Sequence, residues 1–315
     1  MSPSPAPTAT KGPFDLDDVA SYAAWRERKL AEYPRQVSEL ITPVERLGSL
    51  GPREARRILD LCRRCNMAVY AATDSKHADD AATRAGIRAL AATFGLGLVE
   101  DHRSAEDDGL VAIEVTGEAS KRGFIPYTTR PISWHTDGYY NAPGQDILAM
   151  LLHCARAAED GGINALLDPE IAYIRLRDHD ATLIAALMHP EAMTIPEARE
   201  EDGSIRPTST GPVFFRDPKT GSLAMRYTAR ATNIAWRDDA DTTRAVAMLD
   251  RLLRHGEEPL ILHHRLEPGQ GLVCNNVLHT RTAFKNGDGP GRLLYRARYR
   301  RRIAGSGIGE ALAAA

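Results

Sequence analysis

The sequence predicts a mainly β protein with flanking helices, built as a sandwich or barrel. Three observations carry that prediction. From about residue 97 onward, "LGLVE" (itself begun at residue 96), "LVAIEVTG", "DILAMLLHC", "GPVFFRD", "SLAMRYTAR", "LILHHRLEPGQGLVCNN" and "RLLYRARYR" are short, β-favouring segments punctuated by Gly, Pro and Asp. Only two helical stretches interrupt them, "DPEIAYIRLRDHDATLIAALMH" and "TTRAVAMLDRLLRHGEE". No GxGxxG follows a strand and no P-loop glycine–lysine motif occurs, so a parallel nucleotide-binding sheet has no support.

Taken in order, residues 1–13, "MSPSPAPTATKGP", hold too little apolar surface to offset the entropy of ordering and read as a disordered leader. Residues 14–96 read as a helix-rich part packed on the barrel. "DLDDVASYAAWRERKLAEYP" is a helix ending at Pro34, and "GPREARRILDLCRRC" is a second with Pro52 near its start. "MAVYAA" is a strand, and "DDAATRAGIRALAATFGL" a third helix. Residues 97–303 form the β core with its helical inserts, and 304–315 a C-terminal tail.

Bulk composition excludes several function classes. Forty basic residues stand against forty-two acidic ones, a net charge of −2, which offers no electrostatic case for binding nucleic acid or membranes. No stretch approaches the roughly 20 apolar residues that span a bilayer. Four cysteines without an export signal point to free thiols in the cytoplasm. Cys62 and Cys65 form a CxxC inside a helical segment with no second ligand pair nearby, so packing is the expected role.

The chemistry concentrates in "RPISWHTDGYYNAPGQD". In a strand, positions i and i+2 share a face, so His135 and Asp137 reach one ion. A third ligand is required, and His279 in "GLVCNNVLHTRTAF" follows an apolar strand signal, where a ligand belongs. Two imidazoles and one carboxylate compose the facial triad of non-heme Fe(II) oxygenases, with coordination positions left open for substrates. Beyond it, "GRLLYRARYRRR" alternates so that Arg292, Arg296, Arg298 and Arg300 share one face. Such a face is either solvated at a sheet edge or aimed inward to grip a carboxylate by a bidentate pair.

"WHTDGYY", "DGGINALLD" and "NNVLHTRTAF…GRLLYRARY" together resemble the taurine dioxygenase family of Fe(II)/2-oxoglutarate-dependent oxygenases. The nearer branch holds clavaminate synthase, asparagine oxygenase and glutarate hydroxylase, and the resemblance covers roughly residues 95–303. It implies a double-stranded β-helix, or jelly-roll barrel, with iron at its open mouth. It implies His135, Asp137 and His279 as Fe(II) ligands and 2-oxoglutarate and O2 as cosubstrates. Arg296 then matches the arginine for the distal carboxylate of 2-oxoglutarate, with Arg298 as its alternative and Arg292 as a second basic position. Asn164 stands where taurine dioxygenase has a threonine that contacts the cosubstrate. The implied reaction hydroxylates a small molecule of amino acid, carboxylate, sulfonate or betaine class and releases succinate and CO2. Homo-oligomers are common among such proteins.

Tyr139, Tyr140, Arg226 and Arg130 are the substrate-side candidates, each against a packing or surface role. Arg281 is expected to order the ligand strand, and His153, His263 and His264 to be satisfied core or surface groups. Segments 75–95 and 195–210 are the candidate lids. Two other readings stay open on the residues alone. One is a non-catalytic jelly-roll module that binds a carboxylate, for which the triad is superfluous. The other is a zinc hydrolase, which lacks an HExxH glutamate and leaves the arginine strand without a role.

Overall fold

The computed structural model describes residues 12–76, 79–97, 108–116, 124–199, 203–230, 232–255 and 260–313. The expected leader lies outside these residues but for Gly12 and Pro13, as does the end of "LGLVE". Among the described residues, seven α-helices surround a mainly β interior: α1 (Val19–Glu32), α2 (Pro52–Cys65), α3 (Asp80–Thr93), α4 (Pro169–His179), α5 (Ala181–Leu187), α6 (Ala240–His255) and α7 (Ile308–Ala313). None of them is long and apolar enough to cross a membrane.

Ten strands make two sheets. They are β1 (Ile41–Val44), β2 (Met67–Ala72), β3 (Val111–Glu114), β4 (Ile132–His135), β5 (Ala149–Arg156), β6 (Asn164–Leu167), β7 (Leu262–His264), β8 (Gln270–Cys274), β9 (Leu278–Arg281) and β10 (Leu293–Tyr299). The major sheet runs β1-β2-β8-β5-β10-β3 and the minor sheet β7-β6-β9-β4. All pairings are antiparallel except β1 on β2. Residues 14–96 thus supply two strands of the major sheet besides three helices. The sequence hides β1, because Pro43 sits inside the four-residue run "ITPV".

Helix ends follow local chemistry. Asp18, Asp79, Asp168 and Asp180 each accept a backbone N–H in the first turn of the helix they precede. Asp180 also explains why the stretch read as one helix is two: its backbone is extended, and its side chain caps α5. Helix α2 starts at Pro52 and stops at Asn66, which adopts a left-handed φ of 59°.

Asn66 is also the hub of a buried polar cluster. Its Oδ1 accepts from Arg302 and Asn275, and its Nδ2 donates to Asp168. Lys29 of α1 completes the cluster with ion pairs to Asp168, at 2.6 Å, and Glu170. The outer face of the major sheet carries a second buried polar pair. Tyr70 lies across Gly271, where a Cβ would fall 2.2 Å from its ring, and meets Nδ1 of His153 at 3.0 Å. All four cysteines are free and buried, so the CxxC serves packing; Cys65 Sγ donates to the carbonyls of Leu61 and Met67.

Helix α3 packs on that same outer face, since Asp80 accepts from the Tyr295 hydroxyl and Arg84 stacks 5.3 Å from the Tyr295 ring. Tyr295 points away from Arg296, so the described part of segment 75–95 backs the sheet and is no lid. Segment 195–210 is a β-hairpin instead of a loop: Ser209–Gly211 pairs with Met193–Ile195, and Ile205–Arg206 with Ala198–Arg199.

Two stability predictions follow from the buried groups. Replacing Lys29 by Ala strands two buried carboxylates and should cost about 3–5 kcal/mol in denaturant unfolding. Burial holds His153 down at about 4, so the fold keeps it neutral. The unfolded chain binds that proton near pH 6.5, so stability is full above that pH and falls as pH drops toward 4, by at most about 3 kcal/mol. His153→Gln should flatten that part of the pH–stability curve.

Candidate metal centre

The minor sheet brings the expected ligands together. His135 ends β4 and is register partner to His279 on β9, so both imidazoles leave the same face. Asp137 sits two residues beyond His135 on the chain leaving the strand. The ligating atoms of His135, Asp137 and His279 all lie within 4.8 Å of one another. The imidazole rings are 4.2 Å apart, and Nε2 of His135 is 3.8 Å from Oδ1 of Asp137.

Each ligand is held from behind. Nδ1 of His135 meets the Ser133 carbonyl and Nδ1 of His279 the Val277 carbonyl, both at 2.9 Å. Each Nδ1 therefore carries a proton, and each Nε2 presents its lone pair inward. Asp137 is clamped through its backbone: Asn276 Oδ1 accepts from its N–H at 2.8 Å, and Asn276 Nδ2 donates to its carbonyl at 2.9 Å and to that of Ile147 at 2.7 Å. Asn276 takes a φ of 49°, which Asn tolerates better than most residues. Beside it, Asn275 turns the other way, into the Asn66 cluster. The sequence reading passed over "CNN", although two asparagines ahead of a ligand strand are a turn signal.

Electrostatics match a cation site. Burial alone would raise the Asp137 carboxyl, but Arg296, then Arg298 and the two imidazoles, outweigh it and hold it well below the usual carboxylate range. Burial, reinforced by His279, lowers His135 to about 3 against the pull of Asp137. One carboxylate and one neutral imidazole are thus ready to ligate. Oδ2 of Asp137 is buried with no hydrogen-bond partner, an orphan that a metal ion would satisfy. Two imidazole nitrogens and a carboxylate oxygen suit Fe(II). The residues fit the ion.

The remaining expected residues divide by position. Arg296 reaches the triad, with Nη1 3.4 Å from Oδ1 of Asp137. Arg298 lies one step along the same face and donates to the Tyr140 hydroxyl at 2.9 Å. Arg292 is buried beside Phe284, its guanidinium 5.0 Å from the ring, and near the turn of Gly162. Asn164 stands on the face of β6 that continues His279 through Leu166, and its Nδ2 donates to the Thr280 carbonyl at 2.8 Å. Tyr139 stands 6.5 Å from the His135 ring and 5.1 Å from Tyr140.

Arg226 and Arg130 do not join them. Arg226 is buried, and its guanidinium donates to the carbonyls of Met193, Ser209 and Gly211, fastening the base of the hairpin. Arg130 is exposed at the surface ahead of β4. Arg281 does order the ligand strand, donating to the carbonyls of Pro126, Thr128 and Arg130. A cavity of about 490 Å3 opens by Trp134, Thr280 and Arg254, among side chains other than the three ligands.

Residues 73–298 match the profile of the taurine catabolism dioxygenase TauD, TfdA family. The chain belongs to this family. Its match starts earlier than the resemblance read from motifs, taking in α3. A curated relative in an Amycolatopsis species, uridine-5'-phosphate dioxygenase, is 34% identical over 176 residues, which make up 55% of this chain and 62% of that protein. Among solved structures, asparagine oxygenase in complex with Fe(II), 2S,3S-3-hydroxyasparagine and succinate is similar with a TM-score of 0.56 at 18% identity, over 93% of this chain and 86% of that one. The non-heme iron oxygenase OrfP, in complex with Fe, succinate and (3S)-hydroxy-L-Arg, gives 0.56 at 18% identity over 79% and 83%. At such identities the structures attest a common fold.

Substituting Asn276 by Ala should loosen the loop that carries Asp137. The expected result is at least about a tenfold weaker Fe(II) affinity, measured by calorimetry under argon, in the range seen when groups behind metal ligands are removed.

Proposed function

We propose that the protein is an Fe(II)- and 2-oxoglutarate-dependent dioxygenase that hydroxylates a small molecule in the cytoplasm. In that reaction a substrate C–H, 2-oxoglutarate and O2 become C–OH, succinate and CO2. The observation that carries the proposal is the convergence of two inward-facing imidazole nitrogens and an orphaned buried carboxylate oxygen. Ferrous ion held by His135, Asp137 and His279 supplies the coupling of 2-oxoglutarate decarboxylation to C–H oxidation. The two sheets, with the ligands on the minor one and the arginines on the major one, are read as the halves of a double-stranded β-helix.

The chain's own part is placement. Arg296 borders Asp137 and keeps it ionised, so it is also close to where the keto-acid end of the cosubstrate would sit. The far carboxylate belongs a diacid's length away, and Arg292 suits it better. Arg292 is buried, has no hydrogen-bond acceptor or ion-pair partner among the described residues, and is lowered to about 10 by that burial. A buried guanidinium without an anion is costly, and a carboxylate relieves it with a bidentate pair. The glycine turn helps: a Cβ on Gly161 would fall 2.2 Å from the Ala283 carbonyl, and Gly162 leaves Arg292 uncovered on that side. Asn164 is the nearby amide proposed to assist.

The uridine-5'-phosphate of the Amycolatopsis relative and the amino acids of the solved structures are the substrate classes to test first. Anaerobic addition of Fe(II) and 2-oxoglutarate should give a weak visible charge-transfer band, and aerobic turnover should release succinate. Asp137→Ala should abolish the band. Arg292→Ala should raise the 2-oxoglutarate concentration for half-formation about tenfold or more, the size expected for a lost charge-assisted pair. A larger loss from Arg296→Ala than from Arg292→Ala would reverse the assignment of the two arginines.

A further inference from the structure

Four guanidiniums gather around the metal centre and the two tyrosines that follow Asp137; Arg296 and Arg298 hold the Asp137 carboxylate ionised, and Arg206 also donates to the Pro196 carbonyl. Arg296 touches Asp137. Arg298 of β10 lies 5.8 Å from the centre of the Tyr140 ring, and Arg206, near the tip of the hairpin, stands at the same distance. Arg230 approaches the Tyr139 ring at 5.6 Å. It follows Thr228, which bridges to His135 itself. The hairpin is held against this spot, because Ser209 Oγ donates to the Asn141 carbonyl at 2.5 Å. Three separate segments therefore deliver Arg206, Arg230 and Arg298 to the two tyrosines that follow Asp137.

We infer that the substrate is a phosphate monoester whose phosphate is held by Arg206, Arg230 and Arg298 at the Tyr139–Tyr140 pair. The inference rests on the oxygenase reading of the metal centre. One carboxylate is satisfied by a single guanidinium fork, whereas a phosphate monoester carries up to two negative charges on three oxygens and matches donors arriving from several directions. A free amino acid fits poorly, because its ammonium needs an anionic acceptor. Among the described residues, the carboxylate placed against this group, Asp137, is the one assigned to the metal. The Tyr140 hydroxyl, already receiving Arg298 Nη1, is free to donate its own proton to a phosphate oxygen.

The test uses the full chain loaded with Fe(II) and 2-oxoglutarate under argon. Inorganic phosphate, nucleoside 5'-monophosphates and sugar phosphates are titrated by calorimetry, beside the matching nucleosides and sugars, L-asparagine, L-arginine and taurine. Phosphate-bearing probes should bind at least about tenfold more tightly than their dephosphorylated partners. Arg206→Gln and Arg230→Gln should each weaken that binding by a similar factor and leave the Fe(II)/2-oxoglutarate band intact. Arg230→Lys should recover part of the loss. In a parallel aerobic assay, succinate release driven by an amino acid or taurine and not by any phosphate ester would overturn the inference and spare the oxygenase reading. So would phosphate binding that is absent, or indifferent to both variants. Failure to form the band at all would remove the oxygenase reading and this inference with it.

Discussion

The grip of Asn276 on the backbone of Asp137 is the constraint on which the metal centre depends. His135 and His279 come from paired strands, and the sheet fixes their spacing. Asp137 lies past the end of β4, where no ladder continues, so its position has to be templated from elsewhere. One carboxamide satisfies both its N–H and its carbonyl and ties in Ile147 as well. The next residue back, Asn275, is locked to Asn66, and through it to Asp168, Arg302 and Lys29. The metal loop is thus referenced to a buried polar cluster, and buried networks of this kind hold one arrangement because a partly satisfied one is costly.

Charge is sorted as carefully as geometry. The inner face of β10 sends Arg296 and Arg298 toward a carboxylate, which stays ionised in a dry setting because of them. Arg281 and Arg292 flank the Phe284 ring at 4.8 and 5.0 Å, and burial, then the neighbouring Arg292, lowers the pKa of Arg281. Arg281 is compensated by three backbone carbonyls, whereas no described backbone carbonyl accepts from the Arg292 side chain. Similar residues close in space thus differ in which acceptors the backbone offers them, and that difference is what singles out Arg292 as the proposed carboxylate holder.

Much of this was legible in the chain. The distal histidine and the arginine strand were readable from strand signals and alternation, and the helix caps from Pro52 and the aspartates. The HxD pair does converge, but Asp137 lies past the end of β4 and is placed by Asn276 instead of by strand periodicity. What escaped reading depends on partners distant in sequence. Pro43 disguised β1, which among the described residues pairs with β2 alone. Asp180 split a helix that periodicity made continuous. Arg226 looked available because nothing local reveals that the carbonyls of Met193, Ser209 and Gly211 consume its donors. The outward placement of α3 follows from Tyr295 facing opposite to Arg296, which strand alternation states only once the strand's inner side is known. Arg206 and Arg230 carry no motif; only the fold brings them to the two tyrosines.

The hairpin from Met193 to Gly211 has a further consequence. Arg226 and Ser209 fasten its base, while Ile205–Arg206 pairs with Ala198–Arg199 and sends Arg206 over the Tyr140 ring. The hydrogen bonds described for Arg226 and Ser209 include none to His135, Asp137 or His279. The strand pair that carries Arg206 can therefore be exchanged without touching the His–Asp–His cluster, which makes it a natural place for a grafted segment to redirect this scaffold to a new molecule.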